Sequence, residues 1–168
     1  INGSTQFGSC DEHIYHDNLV QPVMTLAPQL NKVLILGGGD GLALRDVLLY
    51  KPAHVTLVDL DPEMVRIARD NPYLATLNKG AFNNTRVLTP NTKGVSQEEG
   101  LFEEVRVGTG VVDKNTGRET TERVTDVRRI HVDAGKFLET ASALYDVIII
   151  DLPDPSSVEL SKLYSSAF

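Results

Sequence analysis

The sequence predicts an α/β fold, a parallel sheet flanked by helices with an inserted β-hairpin, and three observations carry that prediction. Residues Val33 to Asp61 read VLILGGGDGLALRDVLLYKPAHVTLVDLD. A branched apolar run stops at glycines and an aspartate, a helix-period pattern follows, and a second branched run ends in acids; strand, Gly-rich turn, helix and strand in that order open a nucleotide-binding sheet. Farther on, Val147 to Ile150 is apolar at consecutive positions, as expected for a parallel strand covered on both faces. Between them, Arg86 to Arg128 is rich in Thr, Gly, Glu and Asn. Within it Val105 to Val112 and Glu119 to Val127 alternate around Lys114-Asn115-Thr116-Gly117, the pattern of a hairpin.

The elements follow in order. Ile1 to Asp11 reads as a short strand and a polar loop. Ile14, Leu19, Val23, Met24 and Leu26 are spaced for a helix over Glu12 to Leu30, interrupted by Pro22 and Pro28. Lys32 to Gly37 is a buried strand, and Gly41 to Tyr50 a helix burying Leu44, Val47 and Leu48. His54 to Leu60 is the second strand. Asp61-Pro62-Glu63 starts a helix with a cap, a first-turn proline and an acid near the dipole, and Met64, Ile67 and Ala68 give it an apolar stripe. A strand at Arg129 to Val132, a helix at Ala134 to Glu139 and a strand at Tyr145 to Ile150 complete the pattern. Residues 1–30 are thus expected as an N-terminal segment contributing to the site and 31–168 as the sheet domain, with an insertion over about 87–127.

Composition sets bounds. The chain has 168 residues, 41% hydrophobic and 23% charged, which suits one soluble domain with a real core. A net charge of −7 argues against nucleic acid or an anionic membrane surface and accords with a cationic small-molecule substrate. Its single cysteine, Cys10, excludes an internal disulfide and fits a reducing, cytoplasmic compartment. No apolar run approaches the roughly 20 residues that span a bilayer. Ile1 opens inside an expected strand without Met and Phe168 closes inside an expected helix, the pattern of a piece of a longer protein.

The glycine turn narrows the ligand. Gly37, Gly39 and Leu42 occupy the GxGxxG positions, so the third glycine is missing, and Asp40 puts a carboxylate at the mouth of the helix where it repels phosphate. A carboxylate there suits a sulfonium or an ammonium; capping the helix is the plainer reading, and one residue can do both. Asp59 stands about 20 residues past the turn, where an acid accepts hydrogen bonds from a ribose. Asp133 ends the third expected strand, and Asp151 and Asp154 follow the fourth. Ligands of open α/β sheets bind beyond the carboxyl ends of the strands, so these acids converge on one crevice; Asp61 is better read as a helix cap. In Asp151-Leu152-Pro153-Asp154-Pro155 two prolines stiffen a loop that holds two carboxylates. One of them can hold an ammonium group while the other takes a proton from it, which frees the amine lone pair for attack.

The pieces Asn2-Gly3-Ser4-Thr5-Gln6, Asp11-Glu12-His13-Ile14-Tyr15-His16-Asp17, Gly37-Gly38-Gly39-Asp40-Gly41, Val58-Asp59-Leu60-Asp61, Asp133-Ala134 and Asp151-Leu152-Pro153-Asp154-Pro155 stand in the order of the spermidine synthase family, the polyamine aminopropyltransferases, which this chain resembles over most of its length outside the insertion. The resemblance implies a Rossmann-like sheet of the S-adenosylmethionine-methyltransferase type. It implies aminopropyl transfer from decarboxylated S-adenosylmethionine, a co-substrate rather than a prosthetic group, to putrescine or a related amine, giving a spermidine-type polyamine and methylthioadenosine. By position, Asp151 resembles the base, assisted by Tyr15, and Asp154 the carboxylate that holds the amine, with Tyr15 and Gln6 beside it. His16 and Asp40 resemble the contacts to the aminopropyl chain and its ammonium, Gly38 and Asp59 those to the nucleoside, and Asp133 and Ala134 those to adenine; Gln6 and Asp151 also border that pocket. No metal is required, because a sulfonium is already a good leaving group. A homo-oligomer is expected.

The chain departs from the family pattern at three places. Leu152 and Pro153 replace two hydroxyl residues between the loop acids, Asp17 replaces the more usual Glu, and the insertion interrupts the sheet. The Leu-Pro spelling resembles members fused to membrane-spanning segments, which points to such segments elsewhere in the parent protein with this domain on the cytoplasmic side. Two other readings stand beside the first. One is an S-adenosylmethionine-dependent methyltransferase, and the other a non-catalytic polyamine- or nucleoside-binding module.

Overall fold

Short β-branched runs build the sheet. The computed structural model describes residues 7–83, 85–88, 106–113, 116–117, 119–155 and 158–165. The strands are β1 (Lys32–Gly37), β2 (His54–Val58), β3 (Thr85–Leu88), β6 (Asp126–Ile130) and β7 (Val147–Asp151), in the order β3-β6-β2-β1-β7, and every pairing among them is parallel. The expected hairpin is a separate two-stranded antiparallel sheet of β4 (Arg106–Val112) and β5 (Glu119–Arg123). The helices are α1 (Glu12–Leu26), α2 (Leu42–Leu48), α3 (Pro62–Asp70), α4 (Pro72–Leu77), α5 (Ala134–Thr140) and α6 (Val158–Ser161). Among the described residues no helix is long and apolar enough to cross a membrane.

Alternation along the central strands divides the core into two layers. Val33 and Ile35 of β1 with Val55 and Leu57 of β2 pack under α1, α2 and α3 against Met24, Leu44, Val47, Val65 and Phe82. Leu34, Leu36, Val58 and Ile130 face the other way, onto Ala134 and Phe137 of α5. Each such side chain, fully buried, contributes about 1.5–3 kcal/mol, so the two layers hold the sheet flat against its helices.

Several boundaries differ from expectation, each for an identifiable reason. Helix α1 runs through Pro22 and ends at Leu26, with Pro28 beyond it. Its buried stripe is Glu12, His16, Val20 and Met24, so polar residues begin the inward face, and Ile14 and Leu26 point to solvent. In α3 the inward residues are Val65 and Ala68, while Ile67 is 45% exposed. The expected strand at Arg129 to Val132 begins three residues earlier, because its two arginines are accommodated in the interior. Arg128 donates to the buried Asp126 at 2.7 Å, and the Arg129 guanidinium lies over the Phe82 ring at 5.7 Å. Residues 85–88 and 126–127, at the margins of the expected insertion, belong to β3 and β6 of the main sheet. Among the described residues strand β7 is not covered on both faces. It lies at the edge of the described sheet, and Ile148 and Ile150 are 50% and 47% exposed.

Candidate active site

The chain leaves β1 toward β2 on one side and returns as β7 on the other, so the switch point of the sheet lies between β1 and β7. There the glycine turn meets the acidic loop backbone to backbone. Gly37 pairs with Asp151 in register, and the Gly38 N–H donates to the Asp151 carbonyl at 3.1 Å. Gly37 has φ +83°, and a Cβ there would overlap that carbonyl oxygen, so only glycine fits. Gly39 serves a second close approach, since a Cβ on it would stand 2.6 Å from Asp59 Oδ2.

Helix α1 carries two more side chains to the same point. The Tyr15 hydroxyl donates to Asp151 Oδ1 at 3.1 Å, and His16 Nε2 stands 4.0 Å from Asp151 Oδ2. That Oδ2 is buried and, among the described residues, has no hydrogen-bond partner. Burial, reinforced by the nearby charge of Asp40, pushes the Asp151 carboxyl up to about 6. Burial and the Asp151 charge also push the Tyr15 phenol up, so it stays a donor. Asp40 lies at the head of α2, where its Oδ1 accepts the Leu42 N–H at 2.9 Å, and burial raises its carboxyl. It caps the helix and faces the crevice at once: His16, Asp40 and Asp151 each present a ligand atom within 4.8 Å of the others. Such a set can hold an ammonium, or a small divalent cation that favours oxygen and imidazole ligands.

The remaining expected residues lie around this centre. Asp59 accepts the Asp61 N–H at 2.8 Å, its carboxyl is raised chiefly by burial, and it adds to the field that raises Asp151. Asp133 is exposed and caps α5 by accepting the Lys136 N–H at 3.0 Å, with Ala134 buried beside it. Asp154 is exposed, close enough to Tyr15 to raise its phenol further. Asp61 caps α3 through the Glu63 N–H at 2.9 Å, away from the cluster, as its sequence context suggests. Gln6, with Asn2 to Thr5, lies outside the described residues.

Sequence reasoning missed two features. The Tyr164 hydroxyl lies 3.1 Å from the Leu152 carbonyl and 3.0 Å from that of Pro153, which holds the acidic loop down. Beneath α1, Arg45 clamps Glu12 and Asp46, all three buried. An Arg-Asp pair inside the otherwise apolar α2 was the available signal.

The chain and its fold have known counterparts. A model of the spermine/spermidine synthase domain matches residues 12–98. The chain belongs to the spermine/spermidine synthase family. Among its relatives, polyamine aminopropyltransferase 2 of Bacillus anthracis is 44% identical over 168 residues, covering 99% of this chain and 35% of that protein. The polyamine aminopropyltransferase of Oceanobacillus iheyensis is 38% identical over 169 residues, covering 100% of this chain and 25% of that protein. The chain therefore spans about a third or less of the length of these family members. The crystal structure of spermidine synthase from Thermotoga maritima superimposes with a TM-score of 0.54 at 25% identity, over 86% of this chain and 35% of that one. A spermidine synthase in complex with the transition-state analogue AdoDATO matches in fold with a TM-score of 0.57 at 24% identity, over 93% of this chain and 39% of that one.

Proposed function

We propose that the full-length protein transfers an aminopropyl group from decarboxylated S-adenosylmethionine to putrescine or a related diamine. The observation that carries this reading is Asp151. It is a half-buried carboxylate with one oxygen held by Tyr15 and the other buried and without a hydrogen-bond partner among the described residues, raised to about 6 and flanked by the half-buried Asp40. The free oxygen takes a proton from the substrate ammonium. The nitrogen lone pair then attacks the carbon next to the sulfonium, and the carbon–sulfur pair leaves on sulfur as neutral methylthioadenosine. Asp40 and His16 face the donor's own ammonium, Gly38 and Asp59 the ribose side, Asp133 and Ala134 the adenine, and Asp154 the far end of the amine. Gln6 belongs to the same pocket by family position. The acidic rim disfavours a donor that still carries the methionine carboxylate. Cytoplasmic residence and self-association belong to the same proposal.

The direct test is calorimetric titration of the full-length protein with each donor. Decarboxylated S-adenosylmethionine should bind at least tenfold more tightly, since the carboxylate of the intact donor would meet Asp40 and Asp151, and placing like charges together costs about 1.4 kcal/mol or more. Tighter binding of intact S-adenosylmethionine would point to a methyltransferase instead.

The site also sets a pH dependence. Asp151 must be ionised to act, so kcat/KM should rise with pH through about 6. Asp40→Asn removes a negative neighbour that raises Asp151, so this limb should move to lower pH. The same change should raise the donor KM by about tenfold to a hundredfold. A limb that stays in place in the Asp40→Asn variant contradicts the coupling.

A further inference from the structure

The inward stripe of α1 opens with two polar residues, Glu12 and His16, one turn apart and both buried. His16 Nδ1 lies 2.7 Å from the Glu12 backbone carbonyl and 3.2 Å from Glu12 Oε2. Both neighbours only accept, so Nδ1 carries a proton. The Glu12 carboxylate is itself immobilised. Arg45 donates to its Oε1 at 2.9 Å and its Oε2 at 3.2 Å, to Asp46 at 2.7 and 2.9 Å, and to the Leu77 carbonyl at 3.1 Å. Those contacts use all five guanidinium N–H groups.

We propose that Glu12 is a positioning residue: clamped by Arg45, it holds the Nδ1–H tautomer of His16, so that the neutral ring turns a lone pair on Nε2, not a proton, toward Asp40 and Asp151. The consequence is chemical. A lone pair at Nε2 accepts from a ligand ammonium and leaves Asp151 Oδ2 free. A proton at Nε2 repels that ammonium and, across only 4.0 Å, competes for the oxygen that must accept the substrate proton. Holding the second ring nitrogen with an anchored carboxylate is the usual way a functional imidazole has its tautomer fixed.

Glu12→Gln is the informative change. An amide keeps only one of the two oxygens that Arg45 holds, and an NH2 group at the Oε2 position faces Nδ1 and Arg45 alike, donor against donor; with the anionic acceptor gone and only the backbone carbonyl left to Nδ1–H, the Nε2–H form gains population. Long-range proton–nitrogen correlation spectra of the histidine-labelled full-length protein, at alkaline pH, should show His16 protonated at Nδ1. The Glu12→Gln variant should show a measurable Nε2–H population. A wild-type ring protonated at Nε2 overturns the proposal without any variant having to fold. Asp46→Asn disturbs the same clamp without touching the ring; if it moved the His16 signals as far as Glu12→Gln, the role would be merely structural and the proposal would fail.

The kinetic half rests on the aminopropyl-transfer reading. Glu12→Gln should lower kcat/KM roughly 10–100-fold through both a higher donor KM and a lower kcat, the size usual for a group that orients a functional ligand. In a His16→Gln background the same substitution should add about twofold or less, because its effect passes through the ring. An undiminished loss in that background also overturns it. Absence of aminopropyl transfer altogether would overturn the function and leave the spectroscopic result standing.

Discussion

Replacing Asp151 by Asn is expected to lower turnover by about 10²–10⁴-fold, the contribution of a well-placed general base, while methylthioadenosine binding stays within a few-fold of wild type. The amide keeps the shape and can still accept the Tyr15 hydroxyl, but it has no oxygen able to take the amine proton. Single-turnover rates with a diamine, alongside calorimetric titration of the nucleoside product, separate the two quantities; retained turnover would remove Asp151 from its role. The same variant should be more stable than wild type at neutral pH. Asp151 has a folded-state value of about 6 against 3.8 for the free side chain. Between those values the native protein binds the extra proton, so wild-type stability falls as pH rises through the window and the deficit is fully present above about pH 6. Asparagine has no charge to desolvate, which should give it an advantage of about 1–3 kcal/mol at pH 7–8 that vanishes below about pH 4. Thermal melts at the two ends of that range measure it, and equal melts throughout would mean the carboxylate is not disfavoured by its surroundings. The proposed base, half-buried beside Asp40, is a cost to the fold that the proposed chemistry requires.

What the sequence made legible follows physical lines. Strands β1 and β2 and the glycine turn were readable because burial on both faces demands continuous apolar residues and close backbone approach demands glycine. Asp40, Asp59, Asp133, Asp151 and Asp154 could be placed at strand ends because parallel topology sends every carboxyl end to one rim. Strands β3 and β6 were harder, since Arg86, Arg128 and Arg129 break the apolar pattern. Two of these charges are compensated by partners that only the folded sheet supplies: Asp126 for Arg128 and the Phe82 ring for Arg129. The exposed half of β7 was missed because an apolar run does not say whether a neighbour covers it. The Glu12–Arg45–Asp46 clamp was missed for a related reason. Glu12 on α1 stands 33 residues before Arg45 on α2, and apolar periodicity ignores polar residues even when they are the ones turned inward.

That clamp gives the second large effect. Arg45→Met should destabilise the protein by about 3–5 kcal/mol, the usual result of removing one partner from a buried ion cluster, because Glu12 and Asp46 are left buried without the guanidinium that binds both. Arg45→Lys should recover only part of the loss, since one ammonium cannot serve two carboxylates in bidentate fashion. Urea unfolding of the three proteins measures this, and a Met variant as stable as wild type would show that the cluster does not hold α1 to α2. A combined Glu12→Leu, Arg45→Met, Asp46→Leu protein discriminates further. Buried ion clusters replaced whole by apolar side chains often keep or gain stability, so this protein should regain most of what the single change loses. It should not regain full activity, because only the backbone carbonyl of residue 12 then holds the His16 ring opposite Asp151. Recovery of stability without recovery of kcat/KM would separate the two roles of the clamp. On that outcome the fold can do without these charges, but the imidazole proposed to face the donor's ammonium cannot.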